Sequence, residues 1–258
     1  MMIVEIPDTT YNYGFRIEPV GTHIARTMML KEVTAVFAAS SLSNSYEEMR
    51  TIVIKDNAAS KATLSNRKET MQRLTQLYGL NPEILLYSAL RHVWDEASHD
   101  QPVLALLCAL ARDPLLRATA PLILGMDEGD VVTPFQLQDA IESAYPDRYS
   151  PGVLATLGRN TISSWAQSGH LIGRNRKVRA RATAGASSAA YAFLLGHLCG
   201  QRGIYLFETL WSKVLDSPAS SLDDLAFAAS QRGWLEYRRM GDVCEFGFRR
   251  LMQTSREK

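Results

Sequence analysis

Five cationic side chains, Arg174, Arg176, Lys177, Arg179 and Arg181, fall within one short stretch, and what such a cluster can do is hold a polyanion. The charge around it is one-sided. No acidic residue lies between Asp147 and Glu208, an interval that also contains Arg148, Arg159 and Arg202. The whole chain carries a formal charge of +1, so everything outside the interval nets −7. On an extended strand Lys177, Arg179 and Arg181 share one face, while Val178, Ala180 and Ala182 take the other and can lie on a core. Cations in such a row contact phosphates, and each phosphate neutralised steepens the salt dependence of binding. RNA or an acidic protein surface would satisfy the same charges.

The stretch just before the cluster points to duplex DNA. Pro151–Ser168 reads as a helix stopped by Gly169, with Leu154, Gly158, Ile162 and Trp165 on one buried face. Arg159, Ser163 and Gln167 form a row opposite, with Asn160 and Ser164 beside it. Arg, Asn and Gln can hydrogen-bond base edges in a major groove, and Ser can contact bases or phosphates. A solvated amphipathic face has the same composition, and the basic strand that follows favours DNA. The candidate DNA-binding set is Arg159, Asn160, Ser163, Gln167, Arg174, Arg176, Lys177, Arg179 and Arg181.

Catalytic signatures are missing. There is no phosphate-binding loop, no GxSxG elbow and no HExxH. His23, His92, His99, His170 and His197 are dispersed, none at metal-ligand spacing with a cysteine. Asp127, Glu128 and Asp130 could hold Mg²⁺ but read as a polar turn, and Asp95, Glu96 and Asp100 read as an exposed helix end. Trp165, Trp211 and Trp234 read as core. The expectation is no catalytic residue, no metal and no cofactor. Cys108, Cys199 and Cys244 are widely spaced, which fits reduced thiols in the cytoplasm. The apolar run Val103–Ala111 is about half of the ~20 residues a membrane span needs. The N-terminal MMIVEIPDTTYNY lacks the basic and apolar regions of a signal peptide.

The elements that would position these residues are mostly helices. With 258 residues the chain has room for one large domain or two small ones. Periodicity and caps predict a short strand at Met2–Ile6, irregular chain at Tyr11–Gly21, and helices at Met28–Ala39, Ser45–Lys55, from Ser60 to Gly79, and from Asn81-Pro82 to Trp94. Gln101–Ala111 and Pro114–Leu124 form a buried pair. Thr133 and Gln136 make a capping box for a helix to about Ala144. Further helices are expected at Ala186–Gly200, Ile204–Leu215 and from Ser221 to Gln231, followed by a hairpin around Met240-Gly241-Asp242. The glycine-containing turn Asp127–Asp130 separates a helical N-terminal domain (28–126) from a C-terminal domain (131–258), with residues 1–27 as an extension.

One pattern recurs. Gln167-Ser-Gly169-His-Leu171-Ile-Gly-Arg174 and Gln231-Arg-Gly233-Trp-Leu235-Glu-Tyr-Arg238 share Q-x-G-x-L-x-x-R, a helix ending on glycine before a strand. This suggests two winged-helix-like units in a mainly α, multi-helix bundle with short β-hairpins. The second helix exposes Asp223 and Asp224, which would repel phosphate.

The chain resembles the BrxA family, accessory proteins of bacterial BREX phage-defence systems. The resemblance rests on SNRKETMQRLTQLYGL (Ser65–Leu80), on S-P-x-x-L…R-N…S-W…S-G-H-L (Ser150–Leu171), and on Trp211…Gly233-Trp-Leu…Gly241-Asp-Val, and covers most of residues 30–250. It implies a compact helical fold with winged-helix character, double-stranded DNA binding, and a non-enzymatic role beside other phage-defence proteins. Residues 1–27 extend beyond the family pattern. The alternatives are a scaffold docking an acidic partner and a transcriptional repressor.

Overall fold

In the computed structural model, which describes residues 6–96, 99–241 and 243–253, the chain is mainly helical with two small antiparallel sheets. All of the expected Met2–Ile6 strand except Ile6 lies outside the described residues. Asp8–Tyr13 forms a 3-10 turn, overlapping the irregular chain expected from Tyr11.

Local chemistry sets most helix ends. α1 (Leu30–Ala38) is followed by α2 (Tyr46–Ile54), which starts in a capping box: Ser45 Oγ accepts the Glu48 N–H and Glu48 accepts the Ser45 N–H. α3 (Leu64–Tyr78) stops at Gly79, whose φ of 92° favours glycine. The next helix, α4 (Leu85–Trp94), begins later than Asn81-Pro82 suggests, because Asn81 Oδ1 accepts the Glu83 N–H and closes a turn first. α5 (Gln101–Arg112) is buried along nearly its whole length. The apolar run after it divides into α6 (Pro114–Arg117) and α7 (Ala120–Leu124), since Pro121 has no N–H to continue one helix.

Strand β1 (Val131–Val132) leads into α8 (Pro134–Ala144), started by the expected Thr133–Gln136 box, and then α9 (Pro151–Gln167). α8 and α9 approach closely at Gly158, where a Cβ would meet the carbonyl oxygen of Pro134. β2 (Leu171–Ile172) and β3 (Lys177–Arg179) complete a sheet in the order β1-β3-β2, with Val131 opposite Val178 and Leu171 opposite Arg179.

α10 (Ala186–Leu198) is buried on nearly all sides, as its predominantly apolar and small side chains dictate. The single helix expected over Ile204–Leu215 is instead a 3-10 turn (Gly203–Glu208) and α11 (Leu210–Lys213), because Thr209 Oγ1 accepts the Ser212 N–H and caps a new start. α12 (Ala219–Gln231) opens two residues before Ser221, which therefore lies inside it. The hairpin β4 (Glu236–Met240) and β5 (Val243–Gly247) follows, paired from Glu236–Gly247 to Met240–Val243, and then α13 (Arg249–Met252). Gly169 and Gly233 take φ of 88° and 70° at the two matching helix stops, and Leu171 and Leu235 after them are buried.

Buried residues from both sides of the Asp127–Asp130 turn belong to one apolar cluster, with Trp94, Trp165, Trp211 and Trp234 inside it. Buried arginines bind it together by donating to carbonyls at or near helix ends. Arg91 reaches Ser40 O just past α1, Arg112 reaches Thr75 and Gln76 O near the end of α3, and Arg117 reaches Leu110 and Ala111 O near the end of α5. Arg112 and Arg117 also take the carbonyls of Gly14 and Arg16, so the N-terminal segment is strapped across these helices.

Candidate nucleic-acid interface

The basic hairpin turns through Gly173–Arg176. Gly173 has φ of 95°, and a Cβ there would collide with the Arg176 carbonyl oxygen, so the tight turn requires glycine. The turn leaves Arg174 and Arg176 exposed at its tip. Among the described residues no hydrogen bond or ion pair engages either side chain. Ile172 sits beside them on β2, 58 % exposed. Lys177 is half-buried and folds back, its Nζ 2.5 Å from Gly173 O. Arg181 is exposed and lies 3.4 Å from Glu128.

Arg179 is not on that outward row. It is buried, and its guanidinium is bidentate on Asp216 at 2.8 and 2.7 Å. It also donates to Ile123 O at the end of α7, to His170 O and to Ala180 O. A buried guanidinium needs internal partners, and here each of its three nitrogens has at least one. The expected alternation of Lys177, Arg179 and Arg181 on one face is therefore corrected. Asp216, which holds Arg179, carries no motif and takes φ of 55° in a turn.

The polar side of α9 is also largely inward. Asn160 Nδ2 donates to His23 O at 2.8 Å, and Gln167 Oε1 accepts the Leu30 N–H at 3.1 Å. Ser164 Oγ accepts the Met28 N–H at 2.8 Å. Ser163 is half-buried and receives a long bond from Gln167 Nε2. The segment from Thr22 to Leu30 thus lies along the row that the sequence assigned to base edges. Of that row Arg159 alone is fully outward, tied only to Thr156 on its own helix. An irregular segment must find partners for its backbone N–H and C=O groups, and Asn, Ser and Gln on α9 supply them.

That contact creates a cluster invisible in the sequence. His23 Nδ1 is 2.7 Å from Asp113 Oδ2 and His23 Nε2 is 2.8 Å from Ser164 Oγ. The order Asp–His–Ser is that of a nucleophilic triad, but the chemistry is not available. All three are buried, and Ser164 Oγ is already occupied by Met28 N–H and by the Asn160 carbonyl at 3.0 Å. Asp113 further accepts the His23, Leu115 and Leu116 N–H groups, capping α6. Burial works against its charge, yet His23 and these N–H donors hold its carboxyl below the usual range. The cluster is a clamp.

Elsewhere the expected acidic groups are structural. Asp130 accepts the Asp127 N–H within the turn, and Glu128 pairs with Arg181. Asp100, expected on an exposed helix end, is buried and accepts the Ser188 N–H at 2.7 Å. Asp223 accepts from Tyr237 Oη and pairs with Arg239 at 2.9 Å, so only Asp224 presents a free acid on α12. Among the described residues no group of three or more His, Cys, Asp or Glu could hold a metal ion, and all three cysteines are free. Among them, too, no helix is long and apolar enough to cross a membrane. The chain matches no protein-family model and no curated protein.

Proposed function

We propose that this protein is a non-enzymatic, cytoplasmic double-stranded DNA-binding protein, serving as an accessory of a bacterial BREX-type phage-defence system. The observation that carries the DNA part is the pair of outward, unpaired arginines, Arg174 and Arg176, at the tip of a hairpin joined directly to α9. The chain order β1, α8, α9, β2, β3 with sheet order β1-β3-β2 supports a winged-helix unit in which that hairpin is the wing. Arg159 adds a further outward cation on α9. The BREX context rests on the sequence resemblance, and the identity of neighbouring genes tests it separately.

The test is an electrophoretic shift with random duplex at low salt, comparing wild type with Arg174→Glu/Arg176→Glu. Affinity should fall at least tenfold, on the order of 1.4 kcal/mol or more, while the far-ultraviolet circular dichroism stays unchanged. Equal affinity would remove the wing from the interface. A second reading, a scaffold for a partner protein, is favoured by the exposed apolar side chains Phe227, Met240 and Val243 on the second helix-and-hairpin. Co-purification of neighbouring gene products that survives nuclease treatment would support it.

A further inference from the structure

We infer that the wing of this protein enters the minor groove and senses its width, so that narrow A·T tracts are bound in preference to G·C-rich duplex. This rests on the DNA-binding reading above. Two observations lead to it. First, all but one of the α9 side chains able to read major-groove base edges are spent inside the molecule, Asn160 on His23 O, Gln167 on Leu30 N and Ser164 on Met28 N, and only Arg159 stays outward. Direct readout by that row is reduced to a single arginine, which leaves shape as the main source of sequence preference.

Second, the chemistry of the tip fits a groove better than a phosphate ridge. The stem's cations are engaged, Arg179 on Asp216 and Lys177 on Gly173 O, and Arg181 beyond it pairs with Glu128, so the hairpin's unpaired charge is confined to a narrow point. That point carries two arginines flanking Asn175, with exposed Ile172 on the same hairpin. A minor groove offers a strongly negative floor, deepest where A·T tracts narrow it, between walls of apolar deoxyribose carbons. Arginine suits the floor because its guanidinium is more weakly hydrated than an ammonium. Ile172 suits the walls, and a purely phosphate-directed surface would have no use for it.

The experiment measures full-length protein binding to two duplexes of equal length, one with a central A-tract and one all G·C, at one fixed salt concentration. Wild type should favour the A-tract by roughly tenfold. The variant Arg174→Lys/Arg176→Lys, which keeps the charge, should retain most of its G·C affinity and lose that preference. Netropsin, a minor-groove ligand, should displace wild type from the A-tract duplex. Equal affinity for both duplexes, or indifference to netropsin while binding persists, overturns the minor-groove assignment and leaves DNA binding standing. Failure to bind either duplex overturns both.

Discussion

A guanidinium that keeps every partner inside the protein changes what its neighbours can do, and Arg179 shows how. Its carboxylate partner Asp216 also accepts the Ala182 N–H, and His170 lies in the same cluster with Nε2 2.9 Å from Val214 O and Nδ1 2.8 Å from Ser168 Oγ. Burial pushes the His170 imidazole down to about 4, against the pull of Asp216 and the Val214 carbonyl. For Asp216, burial opposes ionisation, but the Arg179 hydrogen bonds and the Ala182 N–H hold its carboxyl below the usual value. The signs follow from proton counting. Between about pH 6.5 and about 4 the unfolded chain protonates this histidine and the folded one does not, so stability falls as pH drops through that window, by up to about 3 kcal/mol. Asp216 contributes fully above the ordinary aspartate pKa, and its share is lost only as pH falls through its lower folded value. Urea unfolding of wild type from pH 7 to 4.5 should therefore show a steep loss that His170→Gln flattens. An identical slope in the two proteins would show that His170 titrates normally.

At the scale of elements, α9 is gripped on two sides. Gly158, Ile162 and Trp165 meet α8 and the core, as their spacing predicts, and Trp165 Nε1 is fixed at 2.8 Å from Thr119 Oγ1. Asn160, Ser164 and Gln167 meet the Thr22–Leu30 segment instead of solvent. Ser164→Ala would leave the buried His23 Nε2 and Met28 N–H without that hydroxyl as a partner, at about 2–4 kcal/mol for the two together. Asn160→Ala should lower the Tm as well, yet leave DNA affinity within a factor of two, on the order of 0.4 kcal/mol. Thermal melts and shift assays on the same preparations check both, and a selective loss of affinity in Asn160→Ala would return that residue to the interface. Signals that act within one turn are legible in the amino-acid sequence: the Thr133–Gln136 box and the glycine stops at 169 and 233. The polar row of α9 misleads because Asn, Ser and Gln satisfy an irregular backbone with the same atoms they would offer a base. Likewise nothing at Asp113 or Asp216 announces a partner 90 residues away in one case and 37 in the other.

For the whole molecule, the deciding fact is that long-range contacts cross the Asp127–Asp130 turn in several places. Tyr191 Oη donates to Leu86 O, Asp100 receives Ser188 N–H, and Trp165 reaches Thr119, all from beyond the turn to before it. A fragment of residues 28–126 would lose these together with the Gly14 and Arg16 carbonyls that Arg112 and Arg117 hold. It should lack a cooperative urea transition and be cut rapidly by protease where the full chain resists. A sharp transition in the fragment would establish the first half as an independent unit.

The strap over α9 has a further bearing, on biosynthesis. Asn160 and Gln167 each join a residue 137 positions earlier in the chain. At ordinary elongation rates that separation is on the order of ten seconds of translation. For that interval Thr22–Leu30 lacks the partners that Asn160, Ser164 and Gln167 supply to its backbone and to His23 Nε2, and depends on water or a holding chaperone for them until α9 emerges. Fusion partners that delay or crowd the emergence of residues 151–167 should therefore reduce soluble yield more than the same partners placed at the opposite end.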